Sequence, residues 1–301
     1  MTIPIGKQIS ESIFRLITLE KHEYQKKGWI KMDISKIKEL WKPNLRNLKA
    51  GMEWWNSKAE KFSVKELPTA ENSTAMRIIQ HENMVGKGSR TLDVGCGGGR
   101  FSFVFEAMGA EATATDFSPE MIKKAMENGK ARGSKVRFSA DNWHTVNLQE
   151  KNWEKQFDLV LAHMTPAVVS ADTFLKLSEA SRGWVIMVKP TRRTNSILDE
   201  LNRLVKAEQD TKALDETMVY AFDLVWRTGG CPKFEYEEQI WKDDQPLEEA
   251  IKEYTLRISS THELSDSDRE TIREYLESIA VDGIVHEVSN TTLVAMYWHV
   301  N

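Results

Sequence analysis

The chain has 301 residues, of which 41% are hydrophobic and 29% are charged, as in an ordinary soluble globular protein. Its formal net charge is −4, so there is no overall basic surplus and nucleic acid is not an expected partner. The apolar runs are too short for a membrane span, and no secretory signal is recognisable. The two cysteines, Cys96 and Cys231, form neither a disulfide framework nor a metal-ligand pattern. We therefore expect a cytoplasmic protein without a bound metal.

Residues 1–70 are rich in aromatic residues and predict a helical amino-terminal cap. An apolar stripe along residues 9–27 predicts the first helix. Asp33 is a candidate N-cap for a second helix, which Pro43 interrupts. The stretch "AGMEWWNSKAEKF", residues 50–62, predicts a third.

From residue 71 to residue 301 the sequence predicts an α/β domain, in which short apolar strands alternate with helices. Such alternation favours a parallel sheet that is covered by helices on both faces. The predicted strands of this part lie at 90–94, 111–115, 135–139, 157–162 and 184–188. The clearest predicted helices lie at 74–84, 100–108 and 119–132.

Two later strands, at 234–241 and 291–300, predict a closing pair at the end of the sheet. Between them lie two charged amphipathic helices, so residues 245–282 are predicted to be a helical insertion. Ser265 and Asp268 give the second helix a start resembling a capping box. The insertion could be a lid over the substrate, a dimer surface or simply a solvated face.

The stretch "TLDVGCGGGRFS", residues 91–102, is a glycine-rich turn between a strand and a helix. Such a turn suits a nucleotide-like ligand, because the backbone and the helix amino terminus can approach it closely. A dinucleotide site expects G-x-G-x-x-G, but Arg100 replaces the third glycine. Asp93 would repel a pyrophosphate and suits a ligand that carries an amino group. The loop therefore favours S-adenosylmethionine over a nicotinamide dinucleotide.

Two further carboxylates follow the second and third strands. Asp116 lies about 20 residues beyond Gly95, where a carboxylate accepts hydrogen bonds from ribose hydroxyls. Asp141 follows the third strand, where it could accept from the adenine amino group. Phe117 and Trp143 offer flat faces for the adenine ring.

The motifs "LDVGCGGGRFS", "TDFSPEMIKKA" and "ADNW" together resemble the first three motifs of class I S-adenosylmethionine-dependent methyltransferases, and in particular the type 11 group that acts on small molecules. The resemblance implies a Rossmann-like, seven-stranded, mostly parallel sheet with an antiparallel last strand. It also implies S-adenosylmethionine as the cofactor and S-adenosylhomocysteine as its product. The implied cofactor-binding residues are Asp93, Gly95, Cys96, Gly97, Asp116, Phe117, Met121, Asp141, Asn142, Trp143 and His163, with Trp55 or Phe62 closing the pocket.

The acceptor side is predicted after the fourth and fifth strands. His163 is the candidate general base, although it could instead be a structural histidine bonded to a loop. His144 is a weaker candidate base, and a surface role is the simpler interpretation. Arg192 and Arg193 could attract an anionic substrate or could be solvated residues that open a helix. The stretch after the fourth strand lacks the Asn/Asp-Pro-Pro-aromatic motif of enzymes that methylate amide or ring amines.

The leading prediction is methyl transfer to a small-molecule acceptor. The alternatives are an RNA or protein methyltransferase, a regulator that binds S-adenosylmethionine without chemistry, and a nicotinamide-dependent oxidoreductase. The last is disfavoured by Asp93 and Arg100. A homodimer is compatible with the sequence, and a membrane partner is not expected.

Overall fold

In a computed structural model of the protein, residues 33–42, 48–62, 66–207 and 211–300 are described. The first predicted helix and Pro43 lie outside these ranges. The second and third predicted helices are present as α1 (Ile34–Leu40) and α2 (Leu48–Lys58), and a short 3-10 helix (Ala59–Phe62) follows α2.

The described residues form one seven-stranded sheet in the order β3-β2-β1-β4-β5-β7-β6. The first five strands pair in parallel, whereas β7 runs antiparallel to both of its neighbours, β5 and β6. This arrangement confirms the predicted mostly parallel sheet with an antiparallel last strand. The strands are β1 (Arg90–Val94), β2 (Glu111–Asp116), β3 (Arg137–Ala140), β4 (Phe157–His163), β5 (Ser181–Asn195), β6 (Lys233–Pro246) and β7 (Ile284–His299).

Helices cover both faces of the sheet, as the alternation of strands and helices predicts. Those that follow α2 are α3 (Thr74–His81), α4 (Arg100–Ala107), α5 (Pro119–Arg132), α6 (Ala171–Ala180), α7 (Ser196–Leu204), α8 (Thr211–Arg227), α9 (Leu247–Ser259) and α10 (Asp266–Ile279). Of these, α6, α7 and α8 were not individually predicted. None of the described helices combines the length and the apolar character needed to cross a bilayer.

Local signals in the sequence set several helix ends. The Asp33 side chain accepts from the Lys36 backbone N–H at the start of α1, as predicted for an N-cap. Ser118 caps α5 in the same way. At the start of α10, Ser265 and Asp268 form the reciprocal hydrogen bonds of a capping box.

Strand β5 is much longer than its apolar run. It continues to Asn195, so Arg192 and Arg193 lie in the strand and do not open a helix as the sequence suggested. Pairing with β7 extends the strand, with a shift of register between Thr191 and Thr194. Backbone pairing with an antiparallel neighbour therefore extends a strand through polar residues that the apolar pattern does not mark.

The insertion has a core of its own. Side chains of α7, α9 and α10 form a buried cluster that includes Leu201, Tyr254, Ile272 and Leu276. It lies beyond the two clusters that cover the faces of the sheet. The charged helices of the insertion are thus solvated on one side only, and α9 packs against α2.

Candidate cofactor and acceptor site

Two adjoining cavities lie beyond the carboxyl ends of the parallel strands. One has a volume of about 440 Å³ and the other about 290 Å³. Both are lined by Trp55, Gly95 and Asp116, so these three residues lie at the junction. This position is where open parallel sheets bind their ligands.

The glycine loop after β1 is fixed by the strand and loop on either side of it. The backbone N–H groups of Gly95 and Cys96 both donate to the Thr115 carbonyl, at 2.7 and 3.0 Å. Gly95 has a φ of +73°, and a Cβ there would lie 1.8 Å from Thr165 Oγ1. Only glycine can therefore occupy this position, and the loop presents bare backbone to both cavities.

Asp93, on β1, is a buried acid beside the larger cavity, and only 2% of its surface is exposed. Ser102 Oγ donates to its Oδ2 at 2.7 Å. Burial raises the pKa of Asp93 to about 7, and the nearby charge of Asp116 adds to the rise. A cation brought into the cavity would favour the charged form of this acid.

Asp116, at the end of β2, is tied to the loops on either side of it. Its Oδ2 accepts from the Gly97 N–H at 3.1 Å and its Oδ1 accepts from the Ser118 N–H at 2.9 Å. Burial raises the pKa of this carboxyl too. Each carboxylate oxygen has more than one acceptor site, so both remain able to accept from a ligand hydroxyl.

Asp141, after β3, borders the smaller cavity. Its Oδ1 is 2.7 Å from Lys151 Nζ, while its Oδ2 is buried without a hydrogen-bond partner among the described residues. Phe117, Asn142 and Trp143 line the same cavity. The three predicted carboxylates thus occupy the ends of three adjacent strands.

Trp143 is mainly a core residue. Only 2% of its surface is exposed, and its indole Nε1 donates to the Thr173 carbonyl at 2.9 Å. Its ring therefore forms part of the wall of the smaller cavity and is not free to move over a ligand.

Helix α2 closes the cleft from above. Trp55 lines both cavities and lies 4.6 Å, centroid to centroid, from Trp54. The last turn of the helix is joined to the N-cap of α5, because Ser118 Oγ donates to Asn56 Oδ1 at 2.5 Å. In the same turn, Lys58 pairs with Glu253 of α9. The side chain of Phe62 lies outside the described residues.

His163, the last residue of β4, lines the larger cavity together with Met121. Its ring centroid is 4.5 Å from that of Phe101. Burial lowers the pKa of His163 to about 4, and the positive charge of Arg100 lowers it further, although Glu237 opposes this. The imidazole is therefore neutral near pH 7 and able to accept a proton or a hydrogen bond.

The wall opposite the cofactor loops comes from the edge strand β6, which the sequence did not assign to the site. Trp241 Nε1 donates to Gln239 Oε1 at 2.6 Å, and Gln239 Nε2 donates to Glu237 Oε1 at 2.6 Å. Thr74, at the start of α3, donates to the second oxygen of Glu237. The alternation of β6 indicates which side chains face inward, but it gives no sign that this edge borders the cavity.

The remaining candidates are Cys96, His144, Cys231 and Arg193. Cys96 borders the larger cavity, but burial raises the pKa of its thiol, which stays protonated and is unsuited to act as a nucleophile. His144 lines the smaller cavity. Cys231 is exposed. Arg193 lies with its guanidinium 5.1 Å from the centroid of the Trp241 ring, behind the wall of the cavity.

Known proteins match part of the sequence. A family model described as a methyltransferase domain matches residues 86–250, more than half of the chain. The ubiquinone biosynthesis O-methyltransferase of Bordetella avium is 30% identical over 151 residues, 48% of this chain and 59% of that protein. The enzyme of the same name from Xylella fastidiosa is 47% identical over 51 residues, 17% of this chain and 21% of that protein. The chain thus spans less than two thirds of the length of these relatives.

Solved structures show a weaker likeness. The YcgJ protein of Bacillus subtilis has a TM-score of 0.43 and 14% identity, over 74% of this chain and 96% of that one. Phosphoethanolamine N-methyltransferase 2 of Haemonchus contortus, solved with S-adenosyl-L-methionine, has a TM-score of 0.44 and 16% identity. The match covers 83% of this chain and 56% of that one. The assignment rests on the sequence match: the chain belongs to the methyltransferase-domain family, and its sheet and glycine loop are those of a class I S-adenosylmethionine-dependent methyltransferase.

Proposed function

We propose that this protein is an enzyme that transfers the methyl group of S-adenosylmethionine to the oxygen of a small-molecule acceptor. The observation that carries the proposal is the row of three carboxylates, Asp93, Asp116 and Asp141, along two joined cavities at the end of the sheet. A dinucleotide brings a pyrophosphate, which Asp93 would repel, whereas a nucleoside attached to an amino acid with a cationic sulfur suits all three acids.

The residues present fit this cofactor from end to end. Asp93 and the bare backbone at Gly95 and Gly97 would hold the methionine end, and Asp116 would accept from the ribose hydroxyls. Asp141, which borders the smaller cavity, would accept from the adenine amino group. Bound there, the cofactor supplies an electrophilic methyl group on a cationic sulfur. Phe117, Met121, Asn142 and Trp143 would pack along its length, with Trp55 above.

An acceptor of small size is supported by the enclosure of the larger cavity. Helix α2 covers it, and β6 and α3 wall it with Trp241, Gln239 and Thr74. An oxygen acceptor is supported by the curated relatives, whose printed name is O-methyltransferase. The position of α2 supports the interpretation of the described part of residues 1–70 as a cap, and its contact with α9 supports that of residues 245–282 as part of a lid. The cytoplasmic location and the homodimer remain predictions.

In the proposed reaction the acceptor oxygen forms a bond to the methyl carbon while the carbon–sulfur bond breaks. The hydroxyl proton becomes strongly acidic as the oxygen gains its new bond, so even a weak base can take it. His163, neutral because of its lowered pKa, would accept that proton and pass it to water. The remaining residues act mainly by orienting the acceptor and excluding solvent.

The proposal as a whole is tested by binding and turnover. Calorimetry should show binding of S-adenosylmethionine and none of NADH. With labelled S-adenosylmethionine, a panel of phenols, alcohols, amines and thiols should yield methylated products among the hydroxyl compounds. Binding of NADH alone would contradict the cofactor assignment, and methylation confined to amines or thiols would contradict the oxygen acceptor.

Asp116→Ala should weaken binding of S-adenosylhomocysteine by about 1–3 kcal/mol, the range for a lost hydrogen bond to a charged group. Asp223→Ala, which removes a carboxylate on the distant helix α8, is the matched control and should leave affinity unchanged. Isothermal titration measures both. Equal affinity in Asp116→Ala and the wild type would show that the ribose does not lie at Asp116.

Affinity for S-adenosylhomocysteine should increase with pH because of Asp93. Its pKa is raised to about 7 in the free protein, and the ammonium group of the bound ligand favours the ionised form, so binding releases a proton. The dissociation constant should fall about five- to tenfold between pH 6 and pH 7.5, following the ionised fraction. The Asp93→Asn variant, which can still accept from Ser102, should lose most of this dependence; an unchanged pH profile would remove Asp93 from the methionine end.

His163→Gln, which keeps most of the side-chain volume, and His163→Ala should both lower kcat by about 10²-fold, the lower range for loss of a general base. Binding of S-adenosylhomocysteine should stay within about twofold of wild type, since the imidazole is assigned to the acceptor. The rates are measured with the best acceptor from the panel. Full activity in either variant would leave His163 with a structural role beside Phe101.

A further inference from the structure

Strand β5 carries one extra residue opposite β7 near its carboxyl end. Thr191 pairs with Thr292 and Thr194 pairs with Asn290, so three steps along β5 lie opposite two steps along β7. Arg192, inside this β-bulge, has a φ of +48°, a left-handed conformation that is uncommon for a residue with a side chain. Bulges of this kind turn the neighbouring side chains in new directions and are frequent beside active sites.

The bulge decides which face of the sheet Arg193 occupies. Side chains alternate between the two faces along a strand, so in a regular β5 Arg193 would share the face of Thr191. Thr191 borders a groove beside α8, on the face away from the larger cavity. The extra residue reverses the alternation, and Arg193 lies instead against Trp241, whose side chain lines the larger cavity.

The guanidinium of Arg193 lies over the indole ring of Trp241. Its Cζ is 5.1 Å from the ring centroid, a distance at which a cation is attracted to an indole face. The side chain of Arg193 is only 28% exposed, and this attraction becomes stronger as the cation loses its water. Burial lowers the pKa of Arg193 to about 10, so the guanidinium still carries its charge near neutral pH.

A carboxylate on β7 holds the guanidinium from another side. Glu287 Oε1 is 4.0 Å from Arg193 Nη2, and the glutamate side chain is 11% exposed. Ser289 Oγ donates to the same oxygen at 3.0 Å, and the hydroxyl of Tyr254, on α9, donates to Oε2. The carboxylate is thus fixed by a strand and by a helix of the insertion, and it restrains the arginine in turn.

Trp241 connects Arg193 to the larger cavity. Trp241 lines this cavity, whereas Arg193 is not among the described residues that do. The indole N–H donates to Gln239, whose side-chain amide donates to Glu237. The hydrogen bond restrains one edge of the ring and the guanidinium restrains one face, so the two contacts together define the plane of the indole.

We propose that Arg193 is a positioning residue, which the bulge of β5 brings to Trp241 and which fixes that indole as a wall of the acceptor site. The inference rests on the proposed function, because it takes the larger cavity as the place where the acceptor binds. Arg193 does not touch the acceptor in this account and acts through Trp241 alone. Its loss should therefore weaken acceptor binding and leave cofactor binding unchanged.

The orientation of Trp241 can be measured without an acceptor. In protein labelled with fluorotryptophan, the fluorine resonance of Trp241 is identified by its absence from Trp241→Phe. This resonance should be a single sharp line in the wild type and should broaden or split in Arg193→Met, because one face of the ring is no longer held. Arg193→Gln is a second uncharged variant with the same expected result. A single sharp line in both variants would overturn the positioning role.

Kinetics should place the effect on the acceptor. With the best hydroxyl acceptor from the panel, Arg193→Met should raise KM about three- to tenfold, the fold-change expected for loss of a partly desolvated cation–π contact. The kcat and the affinity for S-adenosylhomocysteine should stay within about twofold of wild type, the pattern for an interaction that is equal in the ground and transition states. Arg193→Lys keeps a cation at the ring and should hold KM within about threefold of wild type.

A double-mutant cycle tests whether Arg193 acts through Trp241. Trp241→Leu should itself raise the acceptor KM. Adding Arg193→Met to it should change KM by less than about twofold, because the ring through which the arginine acts is gone. Arg182→Met is the matched control, since it removes an arginine paired with Asp158 at the opposite end of β5. It should leave both the acceptor KM and the Trp241 resonance unchanged.

The outcomes distinguish this inference from the proposed function. If hydroxyl compounds are methylated while Arg193→Met keeps the wild-type KM and resonance, the positioning role is wrong and the proposed function stands. Additive effects of Arg193→Met and Trp241→Leu would also overturn it, because the arginine would then act by a route other than the indole. If no hydroxyl compound is methylated, the proposed function fails, and so does the assignment of Arg193 to an acceptor site.

Discussion

The burial of carboxylates at the ends of neighbouring strands is the constraint on which this site depends. Asp93 and Asp116 lie within the same small region, and burial raises the pKa of each. Such charges are tolerated only where backbone N–H groups, hydroxyls or a bound cation satisfy them. The turn through Gly95 provides the close backbone that Asp116 needs, and its shape is possible only because no side chain competes with Thr165.

The enclosure of the cleft comes from elements outside the parallel sheet. Helix α2 reaches from α5 to α9 and carries Trp55 across the junction of the two cavities. It is joined to the start of α5 through Asn56 and to α9 through Lys58, so these three described helices are linked beside the cleft. The charged composition of residues 245–282 does not predict the contact with α2. Their solvated face dominates the composition, whereas their buried residues belong to a separate small core.

Much of the fold and of the cofactor side could be predicted from local signals. Strand β1, the glycine turn and Asp116 follow from a short apolar run, from residues that tolerate positive φ and from a fixed spacing. The full length of β5 could not, because pairing with β7 extends it through Arg192 and Arg193. The cavity wall formed by β6 could not be predicted either. Its members lie more than 60 residues from His163 along the chain, and only the order of strands in the sheet brings them near the cavity.

The side chains of β6 that line the larger cavity are separate from the residues proposed to hold the cofactor, and this separation bears on how such proteins diversify. Glu237, Gln239 and Trp241 sit at alternate positions of an edge strand that pairs only with β7 among the described elements. The residues proposed to recognise the nucleoside, by contrast, lie in turns at the opposite half of the sheet. Under the proposed function, substitutions at these three alternate positions would change which acceptor is methylated without altering the residues that hold the cofactor, so acceptor preference could diverge through a single edge strand.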